Sequence, residues 1–157
     1  MWDPPPPAPS TDLQAMQIAL AQARLAAEAG EVPIGAIVVT SRNIVGFGQN
    51  RLLRDFDPTA HAEIVAIREA ASVLGNYRLN GCTLYVTLEP CSMCAGAMIH
   101  ARLDRLVFAA TDPKAGAAGS VLSVLNHQRL NHQMNVESGL LADEAGELLR
   151  SFFRERR

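Results

Sequence analysis

Two short stretches carry side chains whose types and spacing can do chemistry. In "DPTAHAEIVAI", from Asp57 to Ile67, an imidazole and a carboxylate, His61 and Glu63, flank one alanine at the start of an apolar helical pattern. In "TLEPCSMCAGAMIHA", from Thr87 to Ala101, Cys91 and Cys94 stand three apart directly after a proline. On a helix that spacing puts both sulfurs on one face. In a first turn, unpaired N–H groups and the helix dipole favour thiolate over thiol. Two thiolates are half of a tetrahedral zinc site, and His61, from a different helix, supplies a borderline nitrogen as a third ligand. Three protein ligands with the fourth position free is the pattern of catalytic zinc, whereas structural sites close all four.

Glu63 fits that chemistry only at a helix mouth. Residues two apart on a regular helix point about 200° away from each other, so His61 and Glu63 cannot share a face further in. At the mouth, His61 can ligate while Glu63 takes a proton from a water activated by the metal and passes it to a substrate. Bland alternatives exist for each part: a solvated first-turn glutamate, a thioredoxin-like redox pair, or two buried cysteines. No H-E-x-x-H occurs, so a zincin-type protease lacks its ligand pair. No second C-x-x-C is present to close a zinc ribbon. His100, six residues beyond Cys94, reads as packing or as a group behind the ligands, and His127 and His132 are not needed. Cys82 reads as a small packed residue.

The elements that must position these groups follow from local signals. Pro4 to Pro7 predict an extended, mobile leader over residues 1–10, ahead of one domain over 11–157. Thr11 with Gln14 three residues later predicts a capped first helix that stops before Gly30. "IGAIVVT" and "NIVGFG", separated by "SRN", read as a β-hairpin. Asp57 as N-cap and Pro58 at the first helical position predict a helix ending at Leu74, before Gly75. Then come a strand at "TLYVTL", a proline-led helix at "PCSMCAGAMIHA", a strand at "RLVFAA", and a glycine-rich loop, "DPKAGAAGS". A short helix around Val121 to Leu125, a strand at "MNVESG" and a helix from about Leu141 to Arg156 complete an α/β layered domain.

Composition sets the setting. Of 157 residues, 48% are hydrophobic and 19% charged, which is the make-up of a globular domain rather than a disordered chain. A formal net charge of -2 means that nucleic acid would have to be met by a local basic patch. Three cysteines, two of them in a C-x-x-C, fit a reducing compartment better than a disulfide scaffold. "MWDPPPPAPS" has neither the basic nor the apolar region of a secretory signal, and no apolar run nears the roughly 18–20 residues that cross a bilayer. The expectation is a soluble, cytoplasmic protein. The one basic candidate surface is the C-terminal segment, where Phe152 and Phe153 could stack on bases and Arg150, Arg154, Arg156 and Arg157 could meet phosphates. Leu148, Leu149, Phe152 and Phe153 recur at helical spacing, so at least one of those rings belongs to the core.

The H-x-E and P-C-x-x-C set resembles the signature of the zinc-dependent nucleobase deaminases. The flanks agree as well: "NRLLRDFDPTAHAEI", "NYRLNGCTLYVTLEPCSMCAGAMIHAR", "TDPKAGAAGS" and "SFFRERR" look like the bacterial tRNA-specific adenosine deaminases, over nearly everything from Leu13 to Arg157. That resemblance implies a cytidine-deaminase-like three-layer α/β/α sandwich around a five-stranded mixed sheet, one zinc per subunit and a homodimer. It implies deamination of adenosine to inosine at the wobble position of an arginine tRNA anticodon. By the same likeness His61, Cys91 and Cys94 would hold zinc and Glu63 would carry protons. Asn50 would bond the target nucleotide and the Ala62 N–H would touch its base, while Asp112, Phe153, Arg154 and Arg157 would meet the anticodon loop. Leu52 departs from the proline that relatives often carry there, and the chain ends at "RERR" without a longer basic tail. The nearest rival is a zinc deaminase of free bases or nucleosides such as cytosine, cytidine or guanine. A more distant rival is a zinc-stabilised RNA-binding module without catalysis.

Overall fold

Period-two strands build the central sheet. Strand β1 (Gly35–Val39) is buried along its whole length, and its side chains alternate between two cores: Ala36 and Val38 face one, Ile37 and Val39 the other. In this computed structural model, which describes residues 3–156, β2 (Ile44–Gln49) and β3 (Thr83–Leu88) pair antiparallel on either side of β1. β4 (Arg105–Ala110) and β5 (Asn135–Ser138) then add in parallel, giving a five-stranded mixed sheet in the order β2-β1-β3-β4-β5. One core joins Val38, Leu84, Val86, Leu106 and Phe108 to α2 (Ala62–Leu74) and α3 (Ser92–Ala101), through Ala62, Ala66 and Met98. The other joins Ile37, Tyr85 and Val107 to α1 (Asp12–Glu28) and α4 (Ala142–Glu155), through Met16, Leu20 and Ala145. The result is the expected three-layer sandwich.

Two glycines set how closely α2 lies on the sheet. A Cβ on Gly48 would stand 1.9 Å from the Ala62 carbonyl oxygen, and one on Gly46 2.2 Å from that of Ala66. Helix backbone therefore rests directly on β2, and the first turn of α2 is pinned to the end of that strand. Gly75 stops the helix in the left-handed conformation, as read from sequence.

Three local expectations differ from the structure. The helix expected from Asp57 starts at Ala62 with His61 as N-cap, because Asp57 bonds its own turn instead: its Oδ1 accepts the Thr59 N–H at 2.9 Å and the Thr59 hydroxyl at 2.7 Å. The short helix expected at Val121–Leu125 is absent. The Val121 and Leu122 N–H groups both donate to the Gly116 carbonyl, and the segment forms turns and one isolated bridge, Ala118 with Ser123. The proline leader makes contacts that a free segment would not. Ala8 donates to the Arg42 carbonyl and Ile44 to that of Pro6, while the Asn43 carboxamide donates to Pro5 and Pro6, so the hairpin turn satisfies groups that proline leaves open. Among the described residues, no helix is long and apolar enough to cross a membrane.

Candidate active site

Both helices facing the site begin with a ligand-type side chain at the N-cap. His61 (φ −67°, ψ 153°) precedes α2 and Cys91 (φ −75°, ψ 176°) precedes α3; neither side chain caps its own helix. Extended backbone at these positions turns the side chains away from their helices and towards each other. The Nδ1 of His61 lies 3.6 Å from the Cys91 sulfur and 3.5 Å from the Cys94 sulfur. All three ligating atoms fall within 4.8 Å of one another. Ordinary Zn–N and Zn–S bond lengths at a tetrahedral angle require an N···S separation of about 3.6 Å. The donor set and the two N···S separations therefore fit a tetrahedral zinc ion.

Proton placement in this cluster follows the same geometry. Cys91 is held as thiolate, at about 3, by the Cys94 thiol and the His61 ring donating to it. Cys94 is pushed up because its proton is given to Cys91 and because it is buried. His61 is raised by its bond to Cys91. A metal ion replaces these shared protons.

Glu63, two residues into the same mouth, is 4% exposed. Burial is the main cause that raises its pKa, to about 7, against opposing contributions from its own N–H, from His61 and from the Cys94 thiol. A carboxyl group poised there can give up and take back a proton at neutral pH, which is what general acid–base work needs. Asn50 is also buried, and its Oδ1 accepts the Ala62 N–H, next in the chain to Glu63, at 2.9 Å. The carboxamide thus supplies the cap that His61 does not. The Ala62 N–H, expected to face the base, is bonded to Asn50 instead.

The expected RNA-facing residues form a separate, adjoining surface. Asp112 and Phe153 line one cavity of about 610 Å³, with Val32, Leu149 and Arg150. Phe153, Lys114, Arg154 and Arg156 line an open groove of about 720 Å³. Asn50 and Leu52 line another of about 330 Å³, with Phe152 and Arg156. Phe152 is the core ring, at 7% exposed, and Phe153 the outward one, at 49%. Two of the arginines are engaged: Glu147 accepts from Arg150 at 3.2 Å and from Arg154 at 2.7 Å. The Arg156 guanidinium stacks 3.5 Å over the Phe152 ring. Arg157 lies outside the described residues. His100, read as packing or as backing for the ligands, is instead exposed at the far end of α3, and Cys82 is packed as expected.

Two buried, fully bonded carboxylates escaped the sequence reading. Glu89, two residues before Cys91, is 2% exposed, and its carboxylate accepts from the Asp112, Ala118 and Ser120 N–H groups and from the Ser120 hydroxyl. Glu31, equally buried, accepts the Leu53 and Arg54 N–H groups and the Arg54 guanidinium. That guanidinium also reaches the Gln49 side chain at 2.9 Å and the Asn50 carbonyl at 2.5 Å. Their partners lie more than 20 residues away in sequence, so no local pattern marks either glutamate.

A family model, the MafB19-like deaminases, matches residues 10–157. The tRNA-specific adenosine deaminase of Haemophilus influenzae is 50% identical over 93% of this chain and 85% of its own length. The chain belongs to the tRNA-specific adenosine deaminase family. A solved structure from work on A-to-I editing by tRNA deaminases at the wobble position of transfer RNA superposes with a TM-score of 0.83. It is 46% identical and covers 87% of this chain and 99% of that one. A guanine deaminase from Nitrosomonas europaea shares the fold at a TM-score of 0.81 and 27% identity, over 94% of this chain and 87% of that one. The family's fold and the clustered His61, Cys91 and Cys94 thus come together in one chain.

Proposed function

We propose that this protein is a zinc-dependent tRNA adenosine deaminase, converting adenosine to inosine at the wobble position of the anticodon, an arginine tRNA among its substrates. The observation that carries the reading is a single mouth where His61, Cys91 and Cys94 match a tetrahedral zinc and the buried Glu63 carboxyl lies alongside. When bound, one zinc per chain would supply Lewis acidity that makes water nucleophilic at neutral pH. The chain's own residues do the rest. Glu63 takes a proton from the attacking water and delivers it to N1 of the adenine as the C6–O bond forms. It then takes the proton of the new C6 hydroxyl and hands it to the amine as the C6–N bond breaks and the C6=O bond forms, and ammonia leaves. Asn50, fixed by the Ala62 N–H, holds the target nucleotide, and Ala62 brings the helix backbone close to the base. Asp112, Phe153, Arg154 and Arg157 grip the anticodon loop, whose bases are extracted at less cost than those of a duplex.

A homodimer in the cytoplasm completes the reading. Helix α3 is apolar on nearly all sides, with Met93, Gly96 and Ala97 only partly covered in one chain, and a helix of that kind is usually covered all round. The three cysteines are free, which suits a reducing compartment. The domain spans residues 11–157, with residues 1–10 as its leader.

A second reading, deamination of a free base, is favoured by the likeness to guanine deaminase. Ammonia release from anticodon stem-loop RNA, adenosine, cytidine and guanine separates the two. The proposal expects release from the RNA alone, with inosine at the wobble position. Release confined to guanine or cytidine would overturn the tRNA assignment.

A further inference from the structure

Glu89 joins two parts of the protein that sequence keeps apart. It stands at the root of α3, one residue before Pro90, and its own N–H donates to the Ala110 carbonyl at the end of β4. Its carboxylate is filled by a single loop: Oε1 accepts from the Asp112 N–H at 3.0 Å and the Ser120 hydroxyl at 2.5 Å. Oε2 accepts from the Ala118 N–H at 3.0 Å and the Ser120 N–H at 3.1 Å. The loop closes on the carboxylate with no space to spare, since a Cβ on Gly116 would stand 2.4 Å from Oε2. A backbone bond from Ala117 to the Pro90 carbonyl, 2.8 Å, ties the same loop to the entry of α3.

That loop carries the groups that face outward. Asp112 and Lys114 line the cavity that Phe153 and Arg150 close from α4. The Asp112 carboxylate is itself held, accepting the Lys114 N–H at 3.0 Å and the Ala115 N–H at 3.2 Å. Buried charge satisfied by three backbone donors is a rigid arrangement, because each donor lost leaves an ion without compensation.

We propose that Glu89 is a positioning residue for substrate recognition: it fixes the Asp112–Ser120 loop against the metal-binding helix and so sets how the RNA is gripped, without touching RNA or metal. This rests on the tRNA reading for its ligand, though not for its geometry. Glu89→Asp keeps the charge but withdraws it by one methylene, and Glu89→Gln keeps the reach but puts an NH2 donor where one of the two acceptor oxygens stood. Ser120→Ala, which removes only the hydroxyl donor, is the mild variant that must fold.

The test uses the zinc-loaded full chain and reads three quantities. Amide hydrogen exchange over residues 112–120 rises about tenfold or more in both Glu89 variants, while the first turns of α2 and α3 stay protected. Zinc content stays at one per chain. With anticodon stem-loop RNA, KM rises about tenfold in the Glu89 variants and about twofold in Ser120→Ala, with kcat within about threefold of wild type. Unchanged loop exchange overturns the proposal whatever the substrate proves to be, as does a fall in kcat at unchanged KM, or a Ser120→Ala variant indistinguishable from wild type in both exchange and KM. A wild-type protein inert on the stem-loop but active on a free base refutes the tRNA reading instead. The exchange data then decide the loop anchor independently.

Discussion

Glu63 and Glu89 are the same residue type at nearly the same burial, and they behave in opposite ways. Glu63, at the mouth of α2, is raised to about 7, chiefly because burial is opposed by little more than its own N–H, His61 and a thiol. Glu89, at the root of α3, is pushed up by burial too. The Ser120 hydroxyl and three loop N–H groups outweigh that effect and hold it below the usual glutamate range. Glu31 repeats the second pattern with Arg54 and Leu53. Burial alone therefore assigns no role. The number and strength of donors does: a poorly supplied carboxyl can exchange its proton near neutrality, while a fully supplied one is a fixed anion that organises a loop.

The sharpest way to break this contrast is to remove proton exchange and leave the shape. Glu63→Gln should cost about 10² to 10⁴ in kcat while zinc content and RNA binding persist. Turnover within tenfold of wild type, measured by inosine formation, would mean that protons travel by another route. Next in size is the anchor on the Glu31 side. Arg54→Ala removes the fork to Glu31, Gln49 and the Asn50 carbonyl, and should destabilise the fold by about 1–3 kcal/mol. That is roughly 2–10 °C in Tm for a chain of this size, with zinc retained. An unchanged Tm would show that the fork is no better than water.

The smallest effect belongs to a carboxylate that is only partly shielded. Asp12 is lowered from 3.8 to about 2, first by its hydrogen bond from Arg105 and then by that from Tyr85. Its side chain is 40% exposed, and solvent screening discounts the pair. A carboxyl group with a depressed folded pKa adds stability above its unfolded value and loses it as pH falls. The Tm of wild type should thus drop more steeply between about pH 4 and pH 2 than that of Asp12→Asn. Parallel curves would remove Asp12 from the acid response.

The chemistry was more legible in the sequence than its supports. His61, Glu63, Cys91 and Cys94 are recognisable because zinc and proton transfer demand particular atoms at short spacing, and those atoms sit in two local motifs. The strands and Gly75 were legible for a similar reason, since period-two burial and a left-handed helix stop are written over a few residues. Asp57 misled, because an aspartate before a proline looks the same whether it caps a helix or closes a turn. The turn that Asp57 closes on Thr59, the Asn50 cap and the seat of α2 on Gly46 and Gly48 together place the start at Ala62. Glu89 and Glu31 were invisible because a buried glutamate is identified by distant donors, and the helix expected at Val121–Leu125 fails because the Glu89 loop draws the preceding backbone inward.

Whether His61, Cys91 and Cys94 hold zinc together is read by X-ray absorption at the zinc edge on the metal-loaded protein. Two sulfur ligands at about 2.3 Å and lighter nitrogen or oxygen ligands at about 2.0–2.1 Å are expected. Glu63→Gln should leave that spectrum intact while kcat falls by the same factor of about 10² to 10⁴, the size of lost general acid–base catalysis. A spectrum with one sulfur or none, or one that Cys94→Ala fails to change, would contradict that ligand set.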